Sequence, residues 1–159
     1  MRSLCKFLLR LVRCSSGTAM VEMSLIIPVA ISLMAGGVDF GWWVSTQATG
    51  SKSVRDAARY LATLPTPINV CSNTQAVKNA QSLAVYGKLG GVDGTDTPLV
   101  PGWQMNGGTN NNVAVSCSGS SVIVTATFPY NSIILTPLVP IKGTYTLTAQ
   151  HEEVQVGDD

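Results

Sequence analysis

Histidine is nearly absent: His151 is the one copy in 159 residues. The run His151-Glu152-Glu153 therefore lacks the second histidine of a zinc-binding helix motif. No Gly-x-x-x-x-Gly-Lys occurs either. The stretch Gly107-Gly108-Thr109-Asn110-Asn111-Asn112 is turn chemistry and holds no phosphate. No nucleophile and base can be nominated as a catalytic pair, so the expectation is a protein without enzymatic activity, cofactor or metal. Charge is also sparse, at 12% of residues, with a formal net charge of +1. No acid precedes Glu22, whereas Arg2, Lys6, Arg10 and Arg13 all do. Beyond Val44, six basic residues (Lys52, Arg55, Arg59, Lys78, Lys88 and Lys142) face seven acidic ones. The basic end is thus an orientation signal and not a nucleic-acid footprint.

What the chain does have is one long apolar run. From Met23 to Gly41 nearly every residue is apolar or small. At 1.5 Å per residue such a run approaches the roughly 30 Å hydrocarbon core of a bilayer. Trp42 and Trp43 follow where an aromatic belt would sit, and Asp39, within a turn of that boundary, is expected to reach water or headgroups. The basic residues favour retention of the N-terminus in the cytoplasm and export of everything after the span. Before the span, residues 1 to 16 read as a short basic amphipathic piece. Ser15, Ser16 and Gly17 then interrupt the pattern, as suits an extended segment.

Helical spacing continues past the membrane through Ala48, Val54, Ala57, Ala58 and Leu61 until Pro65 and Pro67, with Lys52, Arg55, Asp56 and Arg59 on the solvated side. A second helix, capped by Asn73 or Thr74, carries Ala76, Val77, Ala80, Leu83 and Ala84 and is expected to close at Gly90 and Gly91. A Gly, Asn, Asp and Pro-rich loop occupies 90 to 112. Alternating runs at Val113 to Cys117, Val122 to Phe128 and Thr144 to about Val156 predict a small antiparallel sheet. The intervening SIILTPLVPIKG is apolar but broken by Pro137 and Pro140, and reads as a packed loop or as an exposed docking surface. The predicted class is α+β: a long N-terminal helix extending into a small domain. Its divisions are a leader at 1–17, the long helix at 18–64 and an exported domain at 65–159.

The four cysteines fall on both sides of the span. Cys71 and Cys117 alone would meet an oxidising compartment. Paired, they would close a loop worth roughly 4 kcal/mol of chain entropy. Two unpaired buried thiols are the alternative, which spacing does not decide.

Glu22 stands at the start of the apolar helix, where a charge is costly. By itself it reads as an interfacial carboxylate that accompanies the positive helix N-terminus. The stretch Gly17-Thr18-Ala19-Met20-Val21-Glu22, between a basic leader and a long apolar helix, resembles the processing site of type IV pilins and pseudopilins. That resemblance implies cleavage between Gly17 and Thr18 by a membrane aspartyl peptidase, with Glu22 the fifth residue of the mature chain. The new amine on Thr18 would lie four positions before Glu22 and could pair with it.

The segments AMVEMSLIIPVAISLMAGGVDFGWW, TGSKSVRDAARYLAT, QSLAVYG, VTATFPYN and GTYTLTAQHEEVQV are similar to TadE-like proteins of tight-adherence (Tad, type IVc) pilus systems. Met23 departs from the tyrosine usual beside that glutamate in the major pilins, and the chain is longer than they are. The resemblance therefore implies a pilin-like minor pseudopilin that primes or caps assembly. It would sit single-pass in a bacterial inner membrane with its C-terminal domain periplasmic. Its partners would be the prepilin peptidase, other pilins and the inner-membrane assembly platform, without nucleic acid. An uncleaved membrane-anchored periplasmic binding or scaffold protein is the alternative, followed by a secreted protein cut near Gly36 or Gly37. Gly37 and Gly41 form a GxxxG that suits close helix packing or simply reflects composition. Pro28 allows a bend in the span or is merely tolerated there.

Overall fold

The computed structural model describes residues 16–65, 70–108, 111–134 and 145–155, with the side chains of 16–18 outside the description. Residues 1–15 of the leader, and all of the SIILTPLVPIKG segment beyond Ile134, therefore lie outside the described residues, as do Thr144 and Val156.

Helix α1, Ser16–Ala62, runs for 47 residues, about 70 Å at the usual rise. It includes Gly17, which was expected in an extended segment. One glycine costs about 1 kcal/mol in a helix, too little to stop one that the apolar residues from Ala19 onward propagate. Pro28 is inside the helix. The hydroxyls of Ser24 and Ser32 donate to the carbonyls of Val21 (2.7 Å) and Pro28 (2.8 Å). Their donors are thereby satisfied without water, as an apolar surrounding requires.

The outer half of α1 is one wall of the core. Val54, Ala57, Ala58 and Leu61 are fully buried, whereas Lys52, Arg55, Asp56 and Arg59 are exposed, as their spacing predicts. Ala48 is not buried with them. Thr46, Gly50 and Ser53 hold that face instead. The hydroxyls of Thr46 and Ser53 bond the carbonyls of Trp42 (2.9 Å) and Gly50 (3.0 Å), so they enter the core already satisfied.

Helix α2, Thr74–Tyr86, packs on this wall through Ala76, Ala80, Ala84 and Val85. The Asn73 side chain caps it by accepting from the N–H groups of Gln75 and Ala76. Its end differs from expectation. Gly87, at φ 69°, donates its N–H to the Leu83 carbonyl, so the helix closes there and not at Gly90 and Gly91. The following loop is tied down from buried positions: Ser82 Oγ donates to the Lys88 carbonyl (2.6 Å), and Asp93 accepts from the Tyr86 hydroxyl and the Met105 N–H. Burial, then the Asp93 and Asp96 carboxylates, push the Tyr86 phenol well above its ordinary range.

Strands β1 (Asn112–Ser118), β2 (Ser121–Tyr130) and β3 (Tyr145–Val154) form one antiparallel sheet in that order. Ser118 pairs with Ser121, leaving Gly119 and Ser120 as the turn, with Gly119 at φ 60°. The central strand alternates strictly, sending Val122, Val124, Ala126 and Phe128 into the core. A disulfide joins Cys71, just before α2, to Cys117 at the end of β1, with their Cα atoms 6.1 Å apart. The described elements are thus a long apolar helix, a short helix and a three-stranded antiparallel sheet, an α+β arrangement.

Phe128 lies between α1 and the Trp103 ring, whose centroid is 4.9 Å away. A Cβ on Gly50 would overlap the Phe128 ring, which is fully buried. Gly50→Ala should therefore destabilise the domain by about 1–3 kcal/mol through overpacking. Urea denaturation checks this; an unchanged midpoint would show that the ring can retreat.

Candidate functional site

The residues singled out in the sequence lie along α1. Gly17 and Thr18 are in its first turns, and Glu22 follows on the same face as Thr18, one turn on. Glu22 is exposed, and among the described residues no ion pair includes it. From Met20 to Met34 the large apolar side chains are all exposed, from 51% at Ile27 to 77% at Met20. Nothing among the described residues of the domain buries these side chains. The stretch belongs to one helix long and apolar enough to cross a membrane, beginning at Ala19 among the described residues.

Gly37 and Gly41 lie in open space, where a Cβ would meet nothing within 4 Å. Ala35 and Asp39, two residues out of phase and so about half a turn round the helix, are covered. The domain thus grips one side of the upper span and leaves the glycine side bare.

Asp39 corrects the sequence reading. It does not face water or headgroups but is only 4% exposed. One carboxylate oxygen accepts from the N–H groups of Ile133 (3.0 Å) and Ile134 (3.1 Å), and the other from the Ser132 hydroxyl. The Tyr130 hydroxyl adds a bond to the Asp39 main-chain carbonyl at 2.9 Å. Two successive backbone N–H groups make a small anion cradle, and the chain fills it with its own carboxylate. Burial, and secondarily the Asp39 charge, raise the Tyr130 phenol above its ordinary range. This cluster locks the segment leaving β2 onto α1 at the point where the bare helix ends.

Just above it, the Phe40 and Trp43 rings stack at 5.8 Å. Trp42 and Trp43 are both partly exposed, as an aromatic belt requires. Elsewhere the chemistry is sparse. His151 pairs with Glu153 at 2.9 Å, and among the described residues no three His, Cys, Asp or Glu side chains gather as a metal site.

Gly17, Thr18 and Glu22 stand out in the sequence because they form a linear motif. The sequence pattern missed the Asp39 cradle, whose donors lie over ninety residues away. The available signal was an acid set in an apolar helix, which demands donors, and a polar Asn131-Ser132 step ahead of an apolar run.

No curated protein and no solved structure was found to match the chain. A family model does match: residues 17–59 fit that of the TadE-like proteins. The matched stretch opens on Gly17, takes in Glu22, the bare span, Asp39 and the buried Val54, Ala57 and Ala58, and ends at Arg59. Over that helix the chain is similar to the TadE-like proteins.

Proposed function

We propose that this protein is a minor pseudopilin of Tad pilus biogenesis, cut after Gly17 by the prepilin peptidase and then used as a structural, priming subunit. The observation that carries this reading is the lower half of α1: an exposed apolar helix with Glu22 at its start and no partner within its own described fold. A carboxylate placed there is costly in hydrocarbon and gains from a cation brought by cleavage or by a neighbouring subunit. The chain is then the peptidase's substrate and a building part, with no catalysis of its own. It would lie single-pass in the bacterial inner membrane, N-terminus cytoplasmic and domain periplasmic, in contact with other pilins and the assembly platform.

One observation favours a second reading, an uncleaved periplasmic scaffold: the backbone at Gly17 is helical, not extended as a peptidase substrate must be. Electron microscopy of a strain lacking the protein tests the leading reading. Deletion should reduce the number of pili, the wild-type chain should restore them, and Glu22→Ala should fail to do so although it still reaches the membrane. Normal piliation without the protein would refute the proposal.

A further inference from the structure

The Asp39 cradle sets the depth of a second apolar element. From Glu22 to Asp39 the helix advances about 26 Å, close to the roughly 30 Å hydrocarbon thickness. With Glu22 at one boundary of the span, Asp39 lies at the other. Ile133 and Ile134 are bonded to its carboxylate through their own N–H groups and are therefore held at that same depth. Ile133 is 52% exposed. Beside it, Trp42, Val100, Pro101 and Pro129 wall an open groove with mostly apolar lining. On the same helix face, one turn deeper into the span, Ala35 is only 8% exposed. The chain from Ile133 to Ile141, IILTPLVPI, contains no charged residue. An apolar segment of this kind is a liability in water and fits a hydrocarbon boundary.

We propose that Ile133, positioned by Asp39, is a second membrane contact: it meets the acyl chains of the outer leaflet beside α1, so the domain rests on the bilayer instead of standing clear of it. Ile133 offers lipids apolar surface, while the Asp39 carboxylate beside it is engaged by its own donors. The inference rests on the reading that α1 spans the bilayer.

The full chain, reconstituted in phosphatidylcholine vesicles, would carry the photoreactive residue benzoylphenylalanine in place of Ile133, of Leu33 in the bare span, or of Leu89, which is exposed on the domain far along the chain. After illumination, mass spectrometry reads the adducts. Lipid adducts at positions 33 and 133 and none at 89 are expected. Adding Asp39→Ala should abolish the lipid adduct at 133 and leave that at 33. Lipid at 33 but none at 133, or only adducts to a second copy of the protein at 133, would overturn the inference while sparing the membrane span. No lipid at 33 would overturn both. An adduct at 133 indifferent to Asp39→Ala would show that the cradle does not place this contact.

Discussion

Replacing Cys71 and Cys117 by serine should cost the domain about 4 kcal/mol, the chain entropy released when a loop of this size is opened. The bridge spans a sequence separation of 46 residues and fastens the entry of α2 to the end of β1. Among the described residues no other strong tie joins those two points: α2 meets the sheet mainly through α1, and the Gln81 side chain reaches β1 by one bond to the Val113 carbonyl (2.8 Å). Small domains are stable by only about 5–15 kcal/mol, so the loss is a large share of the total. Urea denaturation of the detergent-solubilised chain, with and without reductant, should show a much lower midpoint for the reduced protein and for the double variant. Thiol labelling followed by peptide mapping should leave Cys71 and Cys117 unmodified until reductant is added. Equal midpoints, or both thiols free at the outset, would contradict the account.

Asp39→Ala should be the next most damaging change, at up to about 3 kcal/mol, because it strands several partly buried donors together. Two of them are main-chain N–H groups of Ile133 and Ile134, and the third is the Ser132 hydroxyl. The hydroxyl can rotate to another acceptor, but the amides are fixed by the backbone. Asp39→Asn keeps one carbonyl oxygen to receive those amides and should cost less, about 1 kcal/mol. The ranking, wild type then Asn then Ala, separates a hydrogen-bonding role from simple loss of volume. Limited proteolysis gives a local readout, since the segment after Tyr130 should be cut fastest in the alanine variant. Cleavage at the wild-type rate would show that the cradle does not hold the segment.

Much of the architecture could be read from periodicity, because the decisive residues are near neighbours in sequence. Val54, Ala57, Ala58 and Leu61 repeat at helical spacing, and Val122, Val124, Ala126 and Phe128 at strand spacing, and all eight are buried. The Gly17 to Glu22 stretch that resembles a processing site is likewise contiguous. What periodicity does not carry is satisfaction of polar groups at a distance. Thr46 and Ser53 look like surface residues until their hydroxyls turn back onto helix carbonyls. The end of α2 was misplaced because Gly87, Gly90, Gly91 and Gly94 all stand within one loop. Gly87, Gly90 and Gly94 each adopt a positive φ, so only the hydrogen bond to Leu83 marks the helix stop. Asp39 was assigned to the headgroups for the same reason: its true partners arrive from the far end of β2, which no local pattern brings near.

The most direct test of the account is the intact mass of the protein recovered from the membrane fraction of cells that also contain the prepilin peptidase. A chain beginning at Thr18, and no such species when Gly17 is replaced by leucine, is the predicted result. A chain still beginning at Met1 would point to a permanent anchor, and one beginning near Val38 to ordinary secretion. Either would contradict the reading of Gly17 and Glu22 as the processing and assembly residues of a pseudopilin.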